Sequence, residues 1–308
     1  MVNKLSDGIM EDEELGVDTP LETLLDLATH HDPYQRCEAA QLLGRSGSTE
    51  AFLPLVKLGF DSDPVVRQDA ITGLGRSCDS RAYFFLAAYF QRAPKMDREH
   101  AIELQRRIVQ SFQASRDPRS EALLEVAACQ QKLKGLAQYT LGRLRSNTRL
   151  FLYTAHVSDE RRKEAAQYAG IPLSTARDLD ALLPILEEDR QWAQEHFDRP
   201  QTYVVDAQRR FVIGGRIQEH VDVAGGRRVL AAGEAFFDRD DLGWYVREMN
   251  NRSYGYYPHE GCYVHVHQAL RQTGLRFPDR FAEVFPREGW LDTELLDLHW
   301  TTISRQIE

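Results

Sequence analysis

DPYQRCEAAQLLGRS, Asp32 to Ser46, recurs 31 residues later as DPVVRQDAITGLGRS, Asp63 to Ser77. Eight of the fifteen aligned positions are identical, where unrelated sequences share about one by composition. The matches are Asp32/Asp63, Pro33/Pro64, Arg36/Arg67, Ala39/Ala70, Leu43/Leu74, Gly44/Gly75, Arg45/Arg76 and Ser46/Ser77. A repeat of this period specifies stacked supersecondary units, none of which can bury its apolar face alone. Within the unit Asp32 reads as N-cap and Pro33 as the first helical residue, with Ala39, Leu42 and Leu43 along one face. Gly44, near the helix end, suits a left-handed C-terminal cap.

On the N-terminal side, Thr19 and Pro20 open a helix carrying Leu21, Leu24, Leu25 and Leu27. On the other side the 31-residue offset persists into a second helix, where Phe52, Leu55 and Val56 correspond to Tyr83, Leu86 and Ala87. A third, fainter unit follows. Arg98 and Ala101 stand 31 residues beyond Arg67 and Ala70, and its second helix begins after Asp117-Pro118, with Leu123, Leu124, Ala127, Leu136 and Leu141 apolar.

The pattern D-P-x-x-R-x-x-A-x-x-x-L-G resembles the HEAT repeat, in the short form labelled phycobilisome-lyase-like, over roughly residues 20 to 145. The resemblance implies an α-solenoid used as a binding scaffold. Some members act on bilin chromophores, but no residue here carries that signature, so the activity is not transferred. Arg36 and Arg67 are expected to bond along the stack to neighbouring aspartates, the alternative being a ligand-binding arginine row.

The character changes at Ser146-Asn147. RLFLYTAHV, Arg149 to Val157, reads as a buried strand, and Ser158 caps a helix closed by Gly170. Thr154, His156 and Ser158 would line an anion site if strand, turn and helix were used that way; an ordinary capped connection is the alternative. Ser174 or Thr175 then caps a helix through Leu179, Leu182, Leu183 and Leu186, kinked at Pro184.

After Pro200 the pattern becomes β. TYVVDAQRRFVIGG turns near Ala207-Gln208, EHVDVAGGRRVLAAGEAFFD at Gly225-Gly226, and AFFDRDDLGWYVREMNN through Asp240 to Gly243. These hairpins predict a meander of four or five antiparallel strands. A helix follows from about His259 to Thr273, ended by Gly274, and tail helices pack back through Trp290, Leu291, Leu295, Leu298 and Trp300. The expected fold class is α+β and multidomain, with an N-terminal short α-solenoid of HEAT-like helix pairs before an α+β domain built on a mainly antiparallel sheet. The expected divisions are an acidic flexible start at 1–19, the repeat domain at 20–146, a βα connection at 147–200 and the α+β domain at 201–308.

Two clusters in the second half could carry function. Tight hairpins would align His220, Glu234 and Arg247 or Glu248 in one cross-strand row, suited to acid–base work; the same row would equally serve as a solvated face. NNRSYGYYPHEGCYVHVH, Asn250 to His267, offers Asn250, Ser253, Tyr254, Tyr256 and His259 as a binding rim. His259, Cys262, His265 and His267 are ligand-type residues, but a helix points His265 and His267 to nearly opposite sides, so no metal is assigned.

A net charge of −9 argues against nucleic acid as the main partner. No apolar run approaches a membrane span, and MVNKLSDGIMEDEELGVD lacks a signal-peptide core, which predicts a cytoplasmic protein. Cys37, Cys78, Cys129 and Cys262 have no CxxC spacing and read as reduced. No phosphate-binding, nucleotide-binding or hydrolase motif is found. The expected function is therefore regulatory, an adaptor or inhibitor gripping a protein partner through the repeat surface, with no cofactor. The alternative is an enzyme of unknown reaction, hydrolase- or transferase-like in its acid–base chemistry, with His220, Glu234 and Glu248 as catalytic groups in the C-terminal domain, a small molecule as a possible ligand there, and the repeats recognising the substrate.

Overall fold

The computed structural model describes residues 19–96, 98–146, 150–168, 170–175, 178–179, 182, 200–214, 218–282 and 290–307. The acidic start and the kink expected at Pro184 lie outside the described residues. The chain is α+β, a stack of helix pairs followed by a five-stranded antiparallel sheet.

Helix α1 (Leu21–Leu27) leads into the stack. Helices α2 (Pro33–Arg45), α4 (Pro64–Arg76), α6 (Ala101–Ser115) and α8 (Lys134–Arg145) pack side by side as one layer. The second helices α3 (Phe52–Leu58), α5 (Ala82–Met96) and α7 (Ser120–Ala128) lie behind it. Asp32 and Asp63 cap as the sequence predicts, accepting from the backbone N–H of Tyr34 at 3.0 Å and of Val65 at 2.7 Å. Each is followed by proline at the first helical position, where a missing N–H leaves no intrahelical bond unmade.

The repeat glycines have a different purpose from the one expected. Gly44 and Gly75 lie inside their helices, which run on to Arg45 and Arg76. A Cβ on Gly44 would sit 2.5 Å from the Gly73 Cα, and one on Gly75 would sit 2.6 Å from Ser111. They let α2, α4 and α6 approach backbone to backbone. The left-handed residue comes later, at Gly47, Cys78 and Arg116, with φ of 66°, 50° and 55°.

The third unit also departs from the expected offset. Helix α5 has 15 residues where α3 has 7, so the next first helix starts at Ala101 and its left-handed residue, Arg116, falls 38 residues after Cys78. The run expected as one helix after Pro118 is two, α7 and α8, with Leu123, Leu124, Ala127 and Leu141 buried between the layers.

Residues 150–157 are extended rather than a strand, bridging to the sheet only where Tyr153 and Val229 exchange backbone hydrogen bonds of 2.7 and 3.0 Å. Helix α9 (Asp159–Ala165) is capped by Ser158. Strands β1 (Ile171–Leu173), β2 (Gln201–Asp206), β3 (Phe211–Ile213), β4 (Val229–Asp240) and β5 (Gly243–Met249) form the sheet in the order β1-β3-β2-β4-β5. The β2–β3 and β4–β5 hairpins fall where the sequence places them. The hairpin expected at Gly225-Gly226 is absent. His220–Val223 is a helical turn, α10, and the two glycines, at φ of 60° and 70°, end it. Gly226 is pressed on the Arg162 carbonyl, where a Cβ would lie at 2.3 Å. The β3–β4 connection thus crosses to the far side of β2, and the sheet is not a simple meander.

Helix α11 (Tyr263–Thr273) ends at left-handed Gly274, as predicted. The last helix, α12 (Thr293–Ile307), returns to the repeats and covers α5 and α3. It buries Leu296, His299 and Ile303, spaced as one helical face, while Trp300 stacks on Phe85 at 5.6 Å. Leu298, expected to pack back, is exposed on the opposite side. Among the described residues, no helix is long and apolar enough to cross a membrane.

Candidate functional site

The expected acid–base row does not assemble, because its hairpin is not there. His220, on α10, hydrogen-bonds through Nε2 to the Gly233 carbonyl at 2.9 Å, and burial holds its pKa down at about 4. That leaves the ring neutral and committed as a donor. Glu234 sits opposite Asn250, accepting from its Nδ2 at 3.1 Å, while the Asn250 Oδ1 accepts from the N–H groups of Glu234 and Arg252. Glu248 is exposed and pairs across from Phe236, which places it on the same sheet face as Glu234 and Asn250.

The rim residues are turned mostly inward. Ser253 and Tyr256 are buried; the serine Oγ accepts from the Tyr256 N–H and the tyrosine hydroxyl donates to the Arg227 carbonyl at 2.7 Å. Tyr254 alone of this set is exposed. His259 caps the turn before α11 by accepting from Gly261 N–H at its Nδ1. The cleft that His259 lines does not include Glu234 or Tyr254. Thr154, His156 and Ser158 do not converge either: Thr154 is tied to Ser80, Ser158 caps α9, and His156 packs edge-on against Phe84 and Tyr257. Among the described residues, no three metal-ligand side chains come together.

Arg36 bonds along the stack, and Arg67 shows the local half of the same arrangement. Arg36 makes paired bonds of 2.6 and 2.8 Å to Asp61, just ahead of the next unit, and reaches back to the His30 and His31 carbonyls. Arg67 repeats the second contact, reaching the Asp61 and Ser62 carbonyls.

A second repeated device is one the sequence pattern did not single out. In Asp79-Ser80-Arg81 and again in Asp117-Pro118-Arg119, the carboxylate accepts from the arginine backbone N–H and from its folded-back guanidinium. Each guanidinium then donates 2.6 Å to a carbonyl of the preceding unit, Arg81 to Thr49 and Arg119 to Ser80. Thr49 and Ser80 are themselves 31 residues apart, and the spacing D-x-R after α4 and again after α6 was the available signal. Arg119 is wholly buried and also donates to the Tyr257 carbonyl at 3.2 Å, joining the stack to the second half. Around it lie Tyr83, whose hydroxyl donates to the Trp290 carbonyl, and Phe84, stacked on His299 at 4.0 Å. Burial and the nearby arginine hold His299 down at about 4, and burial with its His299 neighbour puts His156 well below the ordinary histidine value.

Beside this core a cleft of about 300 Å³ opens between the last repeat helices and the second half. Arg116, Glu121, Leu144 and Arg145 form one wall; Phe151, Tyr153 and Leu230 lie at its base, and His259, Cys262, Val264 and His265 form the other wall. Burial raises the pKa of the Cys262 thiol, which keeps it protonated and a poor nucleophile.

The geometry is that of a stack of helix pairs whose second helices α3 and α5 are covered by the last helix, α12. Residues 21–106 are HEAT repeats by their match to that family's model, a span reaching from α1 into α6. No curated protein matches the chain.

Proposed function

We propose that this chain is an interaction protein, of adaptor or inhibitor type, that grips a protein partner along one edge of its repeats. HEAT repeats are commonly protein-interaction modules. The supporting observation is a set of exposed apolar side chains along that edge. Tyr34, Val65 and Met96 are 73%, 55% and 46% exposed and each lies 31 residues from the next. Tyr34 and Val65 are the second residues of α2 and α4, and Met96 ends α5, the helix leading into α6. All three therefore stand on the edge where first helices begin. Single exposed apolar residues are ordinary, whereas several brought to one edge of a repeat stack suit a contact surface. The opposite layer is already covered by α12.

The test is affinity capture at low salt by the native chain and by a Tyr34→Glu/Val65→Glu double variant. A stoichiometric protein partner should be captured by the first and lost from the second, with the melting temperature unchanged. Failure to capture any stoichiometric partner, or its full retention by the variant, would sink the idea.

Catalysis by His220, Glu234 and Glu248 has less support. Glu234 and Glu248 share a face with Asn250, but His220 is committed to the Gly233 carbonyl beneath it.

A further inference from the structure

The junction cleft has a charge balance that selects a ligand. Of the ionisable groups lining it, Glu121 and Arg145 neutralise each other through contacts of 2.6 and 2.8 Å, and Arg145 reaches Glu125 besides. Arg116 has no carboxylate partner among the described residues, and it projects from a backbone held left-handed at φ 55°. His265 contributes a buried Nδ1 with no hydrogen-bond partner among the described residues. Burial, with Arg209 nearby, lowers the His265 pKa, so the ring is neutral and can meet an oxygen ligand without a charge of its own.

His259 also lines the cleft, its Nδ1 taken by the Gly261 N–H and its Nε2 3.2 Å from Glu260, and the rest of the lining is mostly apolar. Phe151 and Tyr153 meet edge to face at 5.0 Å, Leu230 is fully buried behind them, and Leu150 and Val264 stand exposed among the lining residues. A volume of about 300 Å³ accommodates about ten non-hydrogen atoms at the ~30 Å³ that a water occupies in the liquid. A phosphate ester would call for several charged donors; one unpaired guanidinium and one imidazole suit a single carboxylate.

We propose that this cleft binds a small amphipathic carboxylic acid, the carboxylate on Arg116 and the apolar part against Phe151, Leu150 and Val264. It is separate from the exposed repeat edge and does not depend on the partner-binding reading.

The experiment titrates the full chain with phenylacetate and 3-methylbutanoate, each beside its neutral amide, by calorimetry and ligand-observed NMR. At least one acid should bind saturably, with Kd about 1 mM or tighter for so few atoms. It should bind about tenfold more tightly than its amide, the difference made by one charge-assisted contact. Arg116→Gly removes the guanidinium while accepting the left-handed backbone, so the tenfold preference should vanish with no fall in melting temperature. Val264→Trp should block both acid and amide. No saturable binding by either acid, equal affinity for acid and amide, or a preference that survives Arg116→Gly would each overturn the proposal.

Discussion

Gly44 and Gly142 are both helical glycines, and their surroundings predict opposite responses to the same substitution. Gly44 meets the Gly73 backbone, so the Cβ of Gly44→Ala cannot be accommodated by a side-chain rotation and α2 must move away from α4. Overpacking of that kind costs about 1–3 kcal/mol, more than offsetting the helix propensity gained. Gly142, inside α8, has open space where a methyl would stand, with no atom within 4 Å, so Gly142→Ala should stabilise by about 0.5–1 kcal/mol. Urea unfolding of the two variants reads both signs directly. A stabilising Gly44→Ala would mean that close helix approach is not what the repeated glycine serves.

Among the elements, α5 decides how the two ends of the chain meet. Its residues Ala82 to Phe90 are buried without a break, and a helix apolar all round needs cover on every side. The stack supplies part of that cover, α12 much of the rest, and His156 and Tyr257 close over Phe84. Leu296→Ala should therefore cost about 2–4 kcal/mol as a buried truncation, whereas Leu298→Ala, two residues on and exposed, should stay within about 0.5 kcal/mol. Equal losses in denaturant titrations would contradict the helix face. This is also where the sequence was most and least legible. The aspartate caps, the Phe52/Tyr83 offset and the β4–β5 turn follow from local chemistry and were readable. The face of α12 was not, because Leu295, Leu296 and Leu298 are all apolar and only the distant α5 distinguishes them. Gly225-Gly226 misled for a similar reason. Two glycines permit a hairpin, but contact with Arg162 far away in sequence makes them a helix end. The cleft fared worst, since Arg116, Tyr153 and His265 come from three separate elements and share no spacing.

At the scale of the molecule, the repeats and the sheet are joined through buried groups that titrate. His156, His220 and His299 are neutral in the folded chain, with pKa values below the ordinary one, at about 4 for His220 and His299. The unfolded chain takes up these protons first as pH falls, so stability is intact above about pH 6.5 and declines toward about pH 4. The slope is about 1.4 kcal/mol per pH unit for each histidine. His299→Phe, which keeps the stack on Phe84, should flatten the dependence of the urea midpoint on pH; an unaltered slope would show that this ring does not contribute. The firmer tie between the halves is Arg119, bonded at once to Asp117, the Ser80 carbonyl and the Tyr257 carbonyl. Removing one partner of such a buried pair costs about 3–5 kcal/mol, and here the loss falls on the junction as well as on the stack. In the native chain, far-UV circular dichroism, dominated by helices, and tryptophan fluorescence should report one coincident urea transition, because neither half can release Arg119 alone. With Arg119→Met the guanidinium contacts to both halves vanish together, and the transitions should separate, the signal of Trp244 on β5 parting from that of the helices. Arg119→Lys should not restore coincidence, since one ammonium cannot span three acceptors set for a planar fork. Transitions that stay superimposed in Arg119→Met would mean that the halves are coupled by the α12–α5 contact instead.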